Sequence, residues 1–144
     1  MPRYATTIQS PLSVDEVWAR VADVTRFVEW DPGVLGAEQV SGDGPGPNAA
    51  YELTVRGVRG PLDMRYDVNE FAPPSRLFLV ADTGALRSED EITIEPDGEG
   101  SELIYRAELR FGGFYAIANP VMSIAFKFIG WRAARGLRRF LEGA

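Results

Sequence analysis

A succession of alternating segments constrains the fold of this 144-residue chain more than any other feature. From residue 34 onward about six segments are predicted to be strands, and most alternate between apolar and polar residues. In residues 60–71, for example, Leu62, Met64, Tyr66 and Val68 share one face. Antiparallel strands with one face in water have this pattern. The chain is therefore predicted to form a sheet whose apolar face must be covered by another part of the chain.

An apolar segment at residues 111–131, followed by a basic one, can supply that cover. A membrane span needs ~20 mainly apolar residues without a break, and this segment is interrupted at Gly112, Gly113, Asn119, Pro120 and Lys127. Proline suits the first turn of a helix, so we expect a helix over residues 119–141 and no transmembrane span. The apolar positions at helical spacing form one stripe: Met122, Phe126, Ile129, Ala133, Leu137 and Phe140.

The N-terminal part is predicted to contain a strand at residues 4–10 and then two short helices. Ser13 and Glu16 have the spacing of a capping box at the start of the first helix, and Asp23 is placed to cap the second. The complete order predicts an α+β architecture, in which a curved antiparallel sheet wraps around a long C-terminal helix. A sheet curved around one helix leaves room for a cavity between them.

The absence of both histidine and cysteine limits the chemistry that this chain can perform. Ser-His-Asp triads, Cys-His dyads, HExxH zinc sites and disulfides are all excluded. The net charge of −6 argues against binding to nucleic acid. The first residues lack the apolar core of a signal peptide. We therefore expect a single cytoplasmic domain over residues 1–144, without a metal, a cofactor or a nucleic-acid partner.

Residues 10–34, SPLSVDEVWARVADVTRFVEWDPGV, resemble the opening of the START-like helix-grip (SRPBCC) superfamily, in particular its polyketide cyclase/dehydrase and lipid-transport branch. The matching positions are Pro11, Val17 and Trp18 in the first helix, and Trp30 and Pro32 in the turn after the second. The resemblance extends to the order of elements along the whole chain. It implies the helix-grip fold and a hydrophobic ligand that is polyketide-, sterol- or fatty-acid-like. Because members include cyclases, carriers and receptors, it marks the fold better than the activity.

The alternation places several polar side chains on the apolar face of the predicted sheet. Such a mixture suits a bulky, largely apolar ligand with a few oxygen atoms. The candidate ligand-binding residues are Tyr51, Met64, Tyr66, Ser88 and Tyr105 on the strands, with Met122 and Phe126 on the long helix.

Asp90 is the candidate catalytic residue, because a carboxyl group on an apolar face would be costly to bury in its ionised form. A raised pKa would let it act as a general acid or base in an aldol cyclisation or a dehydration, together with a tyrosine. The alternative is a β-bulge in the SEDE segment, residues 88–91, which would turn Asp90 into solvent.

The long helix also has a second apolar face, which includes Phe128 and Trp131, and this face gives way to four arginines: Arg132, Arg135, Arg138 and Arg139. The short helices could cover the apolar part, or it could contact a second subunit or a membrane surface. Three functions therefore remain open: ligand binding without turnover, cyclase/dehydrase-type catalysis, and protein interaction through the helix, with a monomer or a homodimer. The lack of histidine and of an arginine on the inner face favours binding.

Overall fold

The computed structural model describes residues 3–57, 60–84, 86–111 and 119–142, with backbone alone for 57, 111 and 119–129. After strand β1 the chain forms a short helix α1 and a 3₁₀ helix, then six strands and the long helix α2. The helices are α1 (Val14–Val21), the 3₁₀ helix (Val24–Glu29) and α2 (Asn119–Phe140). The strands are β1 (Arg3–Ser10), β2 (Val34–Ser41), β3 (Ala50–Gly57), β4 (Gly60–Ala72), β5 (Arg76–Asp82), β6 (Leu86–Asp97) and β7 (Gly100–Phe111).

The seven strands form one curved antiparallel sheet in the order β1-β7-β6-β5-β4-β3-β2. The first strand therefore pairs with the last, with Ile8 opposite Leu103, while β2 forms the other edge. The predicted antiparallel sheet, with six strands after the short helices, is confirmed. Helix α1 contacts β6 and β7 in this arrangement, and the 3₁₀ helix contacts β2.

Burial alternates along the strands as the sequence pattern predicted. In β6 the side chains of Ser88, Asp90, Ile92 and Ile94 are buried on one face. Strand β6 keeps a regular register with β5 and with β7, so the predicted alternative of a bulge at residues 88–91 is wrong. The pattern fails at Leu62, which was assigned to the apolar face and is exposed.

The short helices begin at the predicted caps. The Ser13 hydroxyl accepts a hydrogen bond from the backbone N–H of Glu16 at 3.2 Å and donates one to its carboxylate at 3.0 Å. Asp23 accepts from the N–H of Thr25 at 3.0 Å. The second helix is a 3₁₀ helix of six residues rather than an α-helix. Its short length places Trp30, which follows it, against the inner face of the sheet.

Helix α2 begins at Asn119, as predicted, and its C-terminal half packs on the core. Ala133 and Leu137 of the predicted stripe are buried. Two hydrogen bonds anchor the end of the helix: Ser10 Oγ donates to the carbonyl of Leu141 at 2.5 Å, and Arg20 donates to the carbonyl of Phe140 at 2.7 Å. The stripe residues Met122, Phe126 and Ile129, and the turn expected at residues 112–113, lie outside the side chains and segments that the structure describes.

The outward side of α2 is polar, as predicted for this half of the helix. The four arginines at positions 132, 135, 138 and 139 are exposed, and so is Trp131. The guanidinium of Arg135 lies 5.0 Å from the centre of the Trp131 ring. Among the helices of the described ranges, none combines the length and the apolar character that a membrane crossing requires.

Candidate functional site

The strands bring the five predicted polar residues together on the buried face of the sheet. Tyr51 on β3 lies opposite Tyr66 on β4. The Tyr66 hydroxyl donates a hydrogen bond to Ser88 Oγ on β6 at 3.2 Å, and the Tyr105 hydroxyl on β7 donates to Asp90 Oδ1 at 3.3 Å. All five side chains are buried. Residues that are far apart in the sequence thus form one polar group inside an apolar core.

Asp90 is the carboxyl group at the centre of this polar group. Burial raises its pKa to about 7, and the nearby charge of Asp31 adds to the shift, while the hydrogen bond from Tyr105 opposes it. A carboxyl with this pKa changes its protonation state close to neutral pH. Asp90 therefore has the property that general acid–base chemistry requires.

Asp31 is a second carboxyl group at the site, and it was not predicted from the sequence. It lies between Trp30 and Pro32 in the turn after the 3₁₀ helix, where its Oδ1 accepts a hydrogen bond from the N–H of Gly33 at 2.8 Å. Burial raises the pKa of Asp31 to about 6. No periodic pattern shows which way a turn side chain points, so the only signal was an acidic residue inside the Trp-x-Pro motif.

Trp30 connects this turn to the polar group. Its indole is buried and packs on Phe27 with ring centres 4.8 Å apart and on Tyr105 with ring centres 5.9 Å apart. Helix α2 passes close to the backbone of Trp30. The glycine at position 136 permits this approach, because a Cβ atom there would overlap the carbonyl oxygen of Trp30. Trp30, one of the positions that carry the family resemblance, thus lies beside the candidate residue Tyr105.

Two buried polar atoms of the site have no hydrogen-bond partner within the described part of the chain: Trp30 Nε1 and the Tyr51 hydroxyl. The two side chains are 2% and 0% exposed. Leaving a buried donor unpaired costs about 1–3 kcal/mol, so such atoms are rare and call for an explanation. Both atoms are enclosed by the protein, and their hydrogen-bonding capacity is not used by the described residues.

The small exposure that remains on the inner face is concentrated on the polar residues. Tyr66 (6%), Ser88 (5%), Asp90 (9%) and Tyr105 (7%) keep some accessible surface. Leu77, Leu79 and Ile92, on the same face, are each 1% exposed. These four polar residues and Ala107 (8%) keep more accessible surface than the neighbouring aliphatic side chains, whereas Tyr51 is fully buried.

The tyrosines of the site are hydrogen-bond donors at physiological pH. Burial raises the pKa of Tyr66 and of Tyr105 well above the usual range, and the charge of Asp90 adds to both shifts. Neither hydroxyl therefore ionises near neutral pH, and neither is a base. The base of any proton transfer here would have to be a carboxylate.

The other predicted ligand contacts stand as follows. Met64 is buried on β4, opposite Leu53. The side chains of Met122 and Phe126 lie outside the described residues, so their contribution stays a prediction. The described residues contain no cluster of three or more His, Cys, Asp or Glu side chains that could hold a metal ion.

The outer face of the sheet carries a groove of about 460 Å³, which is a poorer candidate for ligand binding. Charged side chains dominate its lining, and they pair with each other, as Arg106 does with Glu91 at 3.0 Å. A set of paired, solvent-exposed charges offers little to an apolar ligand.

Comparisons with known proteins agree with the architecture. The structure superposes on a Thermus thermophilus protein, TTHA0849, with a TM-score of 0.80 and 14% identity, covering 97% of both chains. A START superfamily protein from Mycobacterium smegmatis gives 0.79 and 15% identity, covering 96% of both. The di-domain ARO/CYC StfQ from the steffimycin biosynthetic pathway gives 0.69 and 12% identity, covering 97% of this chain and 49% of StfQ. These identities show the shared fold and nothing finer.

The sequence itself establishes the family. No curated protein matches it significantly. The family described as polyketide cyclase / dehydrase and lipid transport matches residues 1–142. Nearly the whole chain is covered, and the fold and the START-like neighbours agree with the match. The chain therefore belongs to the polyketide cyclase/dehydrase and lipid-transport family.

Proposed function

We propose that the protein binds a bulky, largely apolar small molecule in the space between the inner face of the sheet and helix α2. The unpaired buried donors at Trp30 and Tyr51 carry this proposal. A ligand with an acceptor group or an aromatic face would satisfy them without contact with bulk water. The residual exposure of Asp90 and Tyr105 supports a ligand position beside these two residues.

The composition of the inner face of the sheet supports an apolar ligand. The inner face is mostly aliphatic and aromatic, with few polar groups, which is the usual composition of a small-molecule site. The name of the family includes lipid transport, and one structural neighbour is described as an aromatase/cyclase. Both descriptions are compatible with a hydrophobic ligand.

Acid–base catalysis is the second candidate, and the pKa of Asp90, raised to about 7, favours it. In a dehydration, the Asp90 carboxylate would take a proton from the carbon next to a carbonyl group and return it to the β-hydroxyl oxygen, which leaves as water. In an aldol cyclisation, the carbon that loses the proton would attack a second carbonyl group, and the proton would go to the oxygen of that carbonyl, which becomes a hydroxyl group. The Tyr105 hydroxyl, 3.3 Å from Asp90, could donate a hydrogen bond to the same oxygen. This reaction requires the binding proposed above and adds a step to it.

A titration with the uncharged fluorophore N-phenyl-1-naphthylamine tests the binding site. Ala107 lies opposite Asp90 on the inner face, and Ala5 is exposed on the edge strand β1. We expect the wild type to enhance the fluorescence with saturation at one equivalent. Ala107→Phe fills the proposed space and should weaken binding at least tenfold, whereas the matched Ala5→Phe should leave it unchanged.

Thermal melts of both variants complete the test. If the space exists, the new ring at position 107 enters it and the variant stays folded with a melting temperature near that of the wild type. If the inner face is tightly packed there, overpacking lowers the stability by about 1–3 kcal/mol. Unfolding of Ala107→Phe, a wild type without saturable binding, or equal binding by all three proteins would each contradict the proposal.

A further inference from the structure

The charges around the proposed site are unbalanced. Its two carboxyl groups are the half-buried Asp31 and the buried Asp90, and the charge of Asp31 adds to the rise in the pKa of Asp90. Within the described residues, Asp90 accepts a hydrogen bond from the Tyr105 hydroxyl and Asp31 accepts one from the N–H of Gly33, and neither forms an ion pair with a basic side chain. A buried carboxylate normally pairs with a cation, and here that cation is absent from the described part of the chain.

The partly buried arginines are engaged elsewhere. Arg76 pairs with Glu91 at 2.8 Å, and Arg87 pairs with Glu89 at 2.9 Å, in both cases through side chains of the outer face. Arg20 is bound to the end of helix α2 through the carbonyl of Phe140. Arg26 pairs with Glu29 at 2.8 Å. None of these four cations is available to the carboxyl pair.

The aromatic side chains around the pair add a second attraction for a cation. Trp30 packs edge-on against Tyr105, whose hydroxyl bonds Asp90, and Tyr66 lies within the electrostatic reach of Asp90. Aromatic faces attract organic cations, most strongly where water is excluded. Carboxylates combined with aromatic rings form a typical environment for an ammonium group.

From this arrangement we infer that the ligand carries a protonated amine, which binds to Asp31 and Asp90, on an aromatic or otherwise apolar body. This inference rests on the proposed function and adds the charge of the ligand. A second observation at the same place does not depend on the two acids: the Trp30 indole packs on Tyr105, and its Nε1 has no hydrogen-bond partner among the described residues. Its donor would face an oxygen atom or an aromatic ring of the ligand body. Two carboxyl groups without a paired cation would repel a fatty acid or any other carboxylate ligand.

Three naphthalenes that differ in one substituent test the inference: aminomethyl, hydroxymethyl and carboxylate. Binding of each is measured by calorimetry at neutral pH. A charge-assisted hydrogen bond contributes about 1.5–3 kcal/mol, so the amine should bind roughly ten- to a hundredfold more tightly than the alcohol, and the carboxylate should not bind. Equal affinity for amine and alcohol, or tighter binding of the carboxylate, would overturn the inference.

Amide variants show whether the carboxyl pair causes the preference. Asp90→Asn and Asp31→Asn should each bring the affinity for the amine close to that for the alcohol, with a thermal melt to establish folding. Asp67→Asn removes an exposed carboxylate that pairs with Arg65 and should keep the preference. A preference that survives in both site variants, or that is lost equally in the Asp67 control, would contradict the assignment.

Two further controls keep the outcomes distinct. Lys127 is the single lysine of the chain, and its side chain lies outside the described residues. Lys127→Met should leave the preference unchanged, whereas a preference that arises only in this variant would mean that the lysine neutralises the carboxyl pair.

N-phenyl-1-naphthylamine serves as the uncharged reference. If it binds and the amine has no advantage, the inference fails and the proposed function stands, whereas no binding of any probe means that both fail.

Discussion

Tyr105 on β7 donates a hydrogen bond to Asp90 on the neighbouring strand β6, with 3.3 Å between the hydroxyl oxygen and Oδ1. This bond favours the ionised form of Asp90 and works against the burial that raises its pKa. Because the Tyr105 ring also packs on Trp30, the same residue connects the carboxyl group to the turn beneath helix α2. Tyr105 thus contacts both the carboxyl group and the turn that follows the 3₁₀ helix.

Removal of that hydroxyl should raise the pKa of Asp90 further. In Tyr105→Phe the ring stays and the hydrogen bond is lost, so the ionised carboxylate loses its stabilising donor. Carboxyl-carbon NMR titration would measure the shift. Tyr66→Phe is the matched control, because the Tyr66 hydroxyl donates to Ser88 rather than to Asp90. A pKa of Asp90 that is unchanged or lowered in Tyr105→Phe would contradict this account of the site.

Stability should depend on pH through the same residue. An aspartate whose pKa rises from about 4 in the unfolded chain to about 7 in the folded one favours folding in its protonated state. Its contribution is complete below pH ~4 and is lost as the pH rises to about 7, at roughly 1.4 kcal/mol for each pKa unit of difference. Asp90→Asn should therefore gain stability relative to the wild type as the pH increases from 4 to 8.

Urea denaturation at several pH values measures this effect as the difference in free energy of unfolding between Asp90→Asn and the wild type. The titration of all other groups is common to both proteins and cancels in the difference. Asp31, with its pKa raised to about 6, should give a smaller gain that is complete at lower pH. Asp67→Asn, at an exposed carboxylate, should show no such pH-dependent gain. If the difference between Asp90→Asn and the wild type stays constant across this range, Asp90 does not carry the raised pKa.

Much of this architecture follows from the sequence, because the fold depends on periodic patterns. The alternation in β6 placed Asp90 on the inner face, and the capping residues Ser13 and Asp23 fixed where the short helices begin. Positions outside a periodic element were less predictable. Asp31 lies in a turn, where local geometry rather than spacing sets the direction of the side chain. Leu62 lies near the start of its strand and is exposed. A side chain there can be on the predicted face of the sheet without another element packed against it.

The contact between helix α2 and the Trp30 turn depends on a glycine. A methyl group at Gly136 would overlap the backbone of Trp30, so Gly136→Ala should displace the helix and lower the stability by several kcal/mol, although alanine favours helices by about 1 kcal/mol. Gly130→Ala would meet the Tyr4 ring, a side chain that can rotate, and should cost less. Thermal melts compare both with Gly46→Ala, where no atom lies within 4 Å. Equal stability of the Gly136 and Gly46 variants would refute the close contact.

The apolar half of α2 should have one face on the core and one face away from it. Phe126 is one heptad before the buried Ala133, and Phe128 is one heptad before the exposed Arg135. Phe126→Asp should therefore unfold the protein through burial of an unpaired charge. Phe128→Asp should leave it folded and change either ligand uptake or the oligomeric state. Thermal melts and size-exclusion chromatography distinguish the two, and equal unfolding would mean that the helix is buried on all sides.

The most direct test of the ligand site is the indole N–H resonance of Trp30 in a nitrogen–proton correlation spectrum, assigned with Trp30→Phe. This donor is buried and has no partner among the described residues, whereas the indole of Trp131 is 51% exposed on the outward side of α2. On saturation with N-phenyl-1-naphthylamine, the account predicts that the Trp30 resonance shifts and that the Trp131 resonance does not. A bound probe that leaves Trp30 unchanged, or that shifts Trp131 alone, would place the ligand elsewhere and contradict the proposed site.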